Sequence, residues 1–247
     1  SILLPLNSFN EQNTMKIALL GYGKMGKTIE RIALERGHEI VLKIDASSEE
    51  YDITQADIAI EFSTPKSAFA NISNALHKGI PVVAGTTGWL EKYQDAINIC
   101  KASDTAFLYA SNFSIGVNIF FEINNILAKM MSSYPEYAVA IEEIHHTQKL
   151  DAPSGTAITL AEQIIKNSDK KEWKLGEATA EEIPITAKRI ENIPGTHIVS
   201  YQSPIDTIEI KHTAHNREGF ALGAVLAAEW LLTRKGVFSM KDVLFNQ

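Results

Sequence analysis

The segment Glu143-Ile-His145-His146-Thr-Gln-Lys149-Leu-Asp151-Ala-Pro153-Ser154-Gly155-Thr156-Ala157 brings proton carriers and an anion cradle together within fifteen residues. The two imidazoles can exchange protons near neutral pH, and Lys149 adds a cation that can neutralise a carboxylate or deliver a proton. Pro153-Ser154-Gly155-Thr156 then opens an apolar run, 157–165, that reads as an amphipathic helix with Pro and Ser/Thr at its start. Backbone N–H groups at such a start, beside a glycine that permits close approach, bind carboxylate or phosphate. Taken singly, His145 and His146 read as strand residues and Asp151-Ala-Pro153 as a turn. Three proton carriers directly before an anion-binding helix start read together as a site.

Residues of this kind need a scaffold, and the preceding sequence describes one. An apolar strand, 15–20, runs into Gly21-Tyr-Gly23-Lys24-Met25-Gly26 and then a helical pattern through Arg36 with apolar Ile29, Ile32 and Ala33. The next strand, 38–45, ends in Asp45, 24 residues after Gly21. That is close to the spacing of roughly 20 expected of a carboxylate that binds an adenosine ribose. A lone GxGxxG is weak, but strand, glycine turn, helix, strand and acid in order point to a dinucleotide. Alternation continues with strands at 56–62, 81–84 and 107–110 and helices at 65–78 and 90–102, which predicts a doubly wound parallel sheet. Ligands of such sheets sit beyond the strand carboxyl ends. There stand Phe62-Ser63-Thr64-Pro65, Gly85-Thr86-Thr87-Gly88 and Ala110-Ser111-Asn112-Phe113, which also read as helix caps and turns.

After Ile115-Gly116-Val117-Asn118 a long apolar helix runs to about Met131 and leaves the first domain. Strands at 137–146, 182–191, 197–202 and 205–212, without a helix for each, predict a mixed or antiparallel sheet in a second, α+β domain. The charged stretch 166–177 reads as a solvated loop. A closing helix, 219–233, returns to the first domain and makes it discontinuous, 15–114 with 216–247, around a second domain of 115–215. Residues 1–14 read as an extension outside the fold.

With 247 residues the chain can build one large or two modest cores. Thirty acidic against 23 basic residues, net −7, and no Lys/Arg run argue against nucleic-acid binding through a basic surface. No apolar run reaches the roughly 20 residues of a membrane span. A single cysteine, Cys100, excludes an intrachain disulfide framework and a cysteine metal cluster, and reads as a buried small hydrophobe.

The motifs together resemble the 4-hydroxy-tetrahydrodipicolinate (dihydrodipicolinate) reductases. The resemblance is carried by His145-His146-x-x-Lys149-x-Asp151-Ala-Pro-Ser-Gly-Thr-Ala157, Gly85-Thr-Thr-Gly88, Asn112-Phe-Ser-x-Gly-Val-Asn118 and His212-x-Ala214-x-x-Arg217-x-x-Phe220-x-x-Gly223-Ala224, in the family's order. It implies an NAD(P)H-dependent reductase of lysine and meso-diaminopimelate synthesis, cytoplasmic, with a Rossmann domain and a substrate domain that builds a homotetramer. His145 and Lys149 would be the proton-transfer residues, and which of them delivers the proton stays open. His146, Ser154, Gly155 and Thr156 would hold substrate carboxylates. Gly21, Gly23, Lys24, Met25, Gly26, Asp45 and Phe62 would take the dinucleotide, with Gly85, Thr86, Thr87, Ala110, Ser111, Asn112 and Phe113 on the nicotinamide side.

Two departures stand out. The glycine loop is compact where many members have G-x-x-G-R-M-G, and Asp45 is followed by Ala46-Ser47-Ser48-Glu49-Glu50 rather than an arginine. A 2′-phosphate would therefore meet acid unless Lys24 or Lys27 reached it, so NADH or permissive use of NADH and NADPH is expected. Competing readings are another Rossmann dehydrogenase, such as an aspartate dehydrogenase, or a non-catalytic dinucleotide sensor. No metal is expected: His145, His146, His212 and His215 come without an adjacent carboxylate pattern.

Overall fold

The computed structural model describes residues 14–48 and 50–245. The reading of 1–14 as an extension thus concerns residues that, up to 13, lie outside the described ones. The chain divides into two compact units, the described residues through Ser114 together with those from Glu218, and Ile115–Arg217.

In the first unit, strands β1 (Lys16–Leu20), β2 (Glu39–Ile44), β3 (Ile58–Glu61), β4 (Val82–Ala84), β5 (Ala106–Tyr109) and β11 (Gly236–Phe238) form one sheet in the order β11-β5-β4-β3-β1-β2. Every pairing is parallel. Helices cover both faces, so alternate residues of each strand sort into two cores. Ile17, Leu19, Ile60, Val83 and Leu108 pack with helices α1 (Lys24–Glu35) and α6 (Glu218–Leu231). Ala18, Leu20, Ala59, Val82, Ala84 and Phe107 pack with α2 (Pro65–His77) and α3 (Tyr93–Ala102). Cys100 lies in this second core, fully buried, as a small hydrophobe. α2 starts where the sequence says it must: Pro65 occupies its first turn, and Thr64 and Ser67 cap each other's backbone N–H groups.

The helix expected over 90–102 begins as a short 3-10 turn, Leu90–Lys92. Strand β11 and the last helix, α7 (Met240–Phe245), carry too few residues to show a periodicity and were not expected.

The second unit contains α4 (Ile115–Met131), β6 (Ala138–His145), α5 (Gly155–Lys166), β7 (Glu172–Leu175), β8 (Glu182–Arg189), β9 (Gly195–Gln202) and β10 (Thr207–Ala214). The sheet runs β10-β9-β6-β8-β7. β9 is antiparallel to both its neighbours, whereas β6, β8 and β7 are mutually parallel, α5 providing the crossover. α4 already includes Ile115, Gly116, Val117 and Asn118, which the sequence reading placed ahead of it.

The solvated loop expected over 166–177 is a correction: Glu172–Leu175 is a strand parallel to β8. As an exposed edge it needs only Trp173 against the core, so its charges hid it from the apolar pattern. β6 alternates strictly, with Val139, Ile141, Glu143 and His145 buried on the face where α5 places Ala157, Leu160, Ala161 and Ile164. That alternation puts an acid and a histidine on the covered face of a sheet.

Candidate active site

At the carboxyl end of β1 the three glycines have three different tasks. Gly21 has φ +111°, and a Cβ there would stand 1.8 Å from the Phe62 carbonyl oxygen. Gly26 brings α1 against that turn, since its Cβ would meet the Gly21 carbonyl at 2.5 Å. Gly23, the residue before α1, has nothing within 4 Å of the position its Cβ would take. A turn that only glycine can make, a close helix contact and an open position at a helix start are what a pyrophosphate requires. The dinucleotide fits.

A cleft of about 370 Å³ opens there, lined among others by Gly21, Gly23, Asp45, Phe62, Ser63 and Asn71. It lies where the strand order reverses between β1 and β3. Asp45 directly follows β2, and its Oδ1 accepts from the Ser47 N–H (2.8 Å), the Ser47 hydroxyl (2.6 Å) and the Ser48 hydroxyl (3.4 Å). The Ser47 hydroxyl above all, with the Ser47 amide and the Ser48 hydroxyl, holds the Asp45 carboxyl below its ordinary range. It is a fixed anion. Lys24 and Met25 occupy the first turn of α1.

The next two strand ends are joined by Glu61, fully buried at the end of β3. Its Oε1 accepts from the Ser63 N–H (3.0 Å), the Ser63 hydroxyl (2.5 Å) and the Thr86 hydroxyl (2.5 Å). Burial raises its pKa, against those hydrogen bonds. The Thr86 side chain is thereby consumed in holding the loop. Trp89 Nε1 donates to the Thr86 carbonyl at 2.6 Å. Gly85 is filled by the Phe62 ring, and Phe62 packs on Phe113 with centroids 5.7 Å apart. Phe113 is 2% exposed and belongs to the core, as a wall. Ala110 is half-buried, Thr87 and Ser111 are exposed, and Asn112 Oδ1 accepts the Ser114 N–H at 2.9 Å.

In the second unit Ser154 caps α5, its Oγ accepting from the Ala157 N–H at 3.1 Å. The N–H groups of Gly155 and Thr156 fall in the first turn and have no partner within the helix. His145 ends β6, buried, with Nδ1 bonded to Glu143 Oε2. Burial pushes its imidazole below the ordinary value, against the Glu143 carboxylate, which favours the charged ring. Lys149 lies two residues from Asp151 and bonds both carboxylate oxygens, at 2.9 and 3.1 Å. With Asp151 65% exposed this ion pair is weakly held and can yield to a ligand carboxylate. His146 Nε2 accepts from Arg217 at 2.9 Å.

Two family models match consecutive stretches: dihydrodipicolinate reductase, N-terminus, over residues 15–113, and dihydrodipicolinate reductase, C-terminus, over residues 116–244. The chain belongs to the dihydrodipicolinate reductase family. It is 60% identical over 233 residues to the 4-hydroxy-tetrahydrodipicolinate reductase of Christiangramia forsetii, covering 93% of this chain and 98% of that protein. With the same-named protein of Methanosarcina barkeri it shares 35% identity over 229 residues, 90% of this chain and 82% of that one. Among solved structures, the dipicolinate-bound dihydrodipicolinate reductase from Paenisporosarcina sp. TG-14 shares the fold. Its TM-score is 0.75 at 21% identity, covering 92% of this chain and 98% of that one.

Some residues of this dihydrodipicolinate reductase family member went unassigned in the sequence. Ser63, Thr64, Ser67 and Asn71 line the cofactor cleft, and only the Phe62-Ser63-Thr64-Pro65 strand end had marked the place. Glu143 is two residues before His145 and so on the same strand face, a period-2 clue that was available. Arg189 and His197 come from other strands, and nothing local marks them. Among the described residues, the potential metal donors gathered within 4.8 Å are Glu143, His145 and His197, not the four histidines His145, His146, His212 and His215. Glu143 is hydrogen-bonded to His145 Nδ1 and to Arg189, and His197 Nε2 to Ser154.

Proposed function

We infer that this chain is an NAD(P)H-dependent 4-hydroxy-tetrahydrodipicolinate reductase, a cytoplasmic enzyme of lysine and meso-diaminopimelate synthesis. The observation that carries this is near end-to-end similarity to a reductase of that name, 60% identical over 98% of its length. The chemistry of both units agrees with it. Loss of the 4-hydroxyl as water leaves a conjugated cyclic imine, C4 of the ring receives a hydride, and the electron pair displaced through the conjugated system takes up one proton. Bound NADH or NADPH supplies the hydride.

The remaining work falls to side chains and amides of this chain. Gly155 and Thr156 N–H groups at the start of α5, with Lys149 and His146, suit the two ring carboxylates. Ser154 acts indirectly, since its hydroxyl is committed to the cap and to His197. His145 and Lys149 are the proton carriers. NADH or NADPH should lose its 340 nm absorbance when the enzyme meets freshly generated 4-hydroxy-tetrahydrodipicolinate. No consumption of either cofactor would overturn the reading.

Cofactor choice should be permissive or favour NADH. Asp45 offers a fixed carboxylate to the ribose hydroxyls and repels a 2′-phosphate, and no arginine follows it. Steady-state KM values decide this: one for NADPH more than tenfold below that for NADH would reassign the site to Lys24 or Lys27. Asp45→Ser should move the ratio toward NADPH.

The second unit is proposed to assemble a homotetramer through its sheet. Its helices pack on the face that carries Val139 and Ile141, while Ala140, Ile144 and Ile198 on the opposite face are only half-buried. Light scattering at micromolar concentration should report four chains, and a monomer would refute it. Among the described residues no helix is long and apolar enough to cross a membrane.

A further inference from the structure

Glu143 is a carboxylate with no exposed surface, buried under α5, and it is saturated with donors. Arg189 approaches it as a fork, Nη1 to Oε2 at 3.1 Å and Nη2 to Oε1 at 3.2 Å. The Ser154 N–H donates to Oε1 at 3.1 Å, and His145 Nδ1 donates to Oε2. A charge this deep is tolerated only when it is paired and hydrogen-bonded, as Glu143 is. Arg189 also reaches the loop that carries the other proton carrier, donating to the Asp151 carbonyl at 2.7 Å and the Lys149 carbonyl at 3.4 Å. One ion pair therefore touches both His145 and the Lys149 loop.

We propose that Glu143 and Arg189 form a positioning pair for the proton-transfer residues. Glu143 holds the His145 Nδ1 proton, so that the ring has one orientation and Nε2 is the nitrogen that exchanges protons. Arg189 fixes Glu143 and the Lys149–Asp151 turn together. This rests on the reading of His145 as a proton carrier in the reductase.

The surroundings of Nε2 agree. Gly195 faces it, and a Cβ there would stand 3.1 Å from Nε2, so the glycine keeps that nitrogen uncrowded on the β9 side. The neighbouring imidazole, His197, lies 5.0 Å from the His145 ring centroid, edge to face. Ser154 Oγ, already accepting from Ala157, has its proton left for His197 Nε2 at 2.7 Å. Burial, with His145, His212 and Lys149 nearby, takes His197 down to about 3. His197 thus stays neutral and does not compete for the proton. The charged or titratable groups that face His145 are then Glu143 on its own strand, Arg189 on β8, Lys149 on the following loop and the neutral His197 on β9.

Two measurements test the pair. In the wild-type protein, nitrogen-15 NMR of the His145 ring above its titration should show Nδ1 protonated and Nε2 bare. The opposite tautomer overturns the proposal whether or not any variant folds. In turnover, Glu143→Gln should lower kcat by about tenfold to a hundredfold. KM for the imine precursor and inhibition by pyridine-2,6-dicarboxylate should stay within about twofold, because Glu143 touches no ligand carboxylate.

Losing the carboxylate removes what favours the imidazolium, so the limb of the kcat profile that requires protonated His145 should move to lower pH. Glu143→Asp should recover part of the rate, and Arg189→Lys, which keeps the charge but loses the fork, should resemble Glu143→Gln. A folded Glu143→Gln enzyme with unaltered kcat and an unmoved pH limb overturns the proposal. An inactive wild type would instead strike at the reductase reading, and the tautomer would still decide the role of Glu143.

Discussion

His145→Ala should lower kcat by about 10²–10⁴-fold, the range for losing a positioned acid, while KM changes by less than about threefold. Lys149→Ala should behave differently. Its ammonium pairs with an exposed carboxylate, Asp151, in the loop that leads into α5. It should raise KM, and weaken inhibition by pyridine-2,6-dicarboxylate, on the order of tenfold, because a charge-assisted contact contributes about 1.5–3 kcal/mol. The assay is steady-state turnover of both variants with the inhibitor titrated alongside. The reverse pattern, with kcat lost in Lys149→Ala and KM raised in His145→Ala, would exchange their roles. His145 is the better proton carrier on present geometry, because it is buried and held by Glu143, whereas Lys149 rests on an exposed partner.

Gly21→Ala and Gly23→Ala should fail in opposite ways although they are two residues apart. At Gly21 the backbone is left-handed, and the new methyl would lie 1.8 Å from the Phe62 carbonyl oxygen and 2.4 Å from its carbon. Either β1 or β3 must move, so a Tm drop on the order of 10 °C is expected. At Gly23 nothing lies within 4 Å and φ is −82°, so the protein should fold with Tm within about 2 °C of wild type. Its methyl would project into the space a pyrophosphate needs, and KM for NADH should rise by about tenfold or more. Thermal melts and cofactor titrations of the two variants separate the effects. Gly23→Ala with unaltered cofactor affinity would move the phosphate away from this turn.

Much of this was readable without coordinates because it is local. The glycine turn, the Thr64-Pro65 helix start and the Ser154 cap are dictated by backbone sterics and orphan N–H groups within a few residues. The six-strand parallel sheet was largely legible too, since strands buried on both faces must be continuously apolar, although β11 was too short to see. By contrast, β7 hid among charges, since an edge strand with one face in solvent does not need an apolar run.

The candidate site divides along the same line. His145, Lys149 and Ser154 stand out as residue types in one segment. What holds them does not: Arg189 is 46 residues from Glu143, and His197 is 43 from Ser154. Those partners meet because β6 pairs in parallel with β8, His145 opposite Arg189, and antiparallel with β9, Glu143 opposite His197. Sequence alone supplied the chemical groups and the helix start that awaits an anion. Strand pairing decided which groups meet there, because register is a non-local property and a one-residue slip would turn Glu143 and His145 to the other face of the sheet.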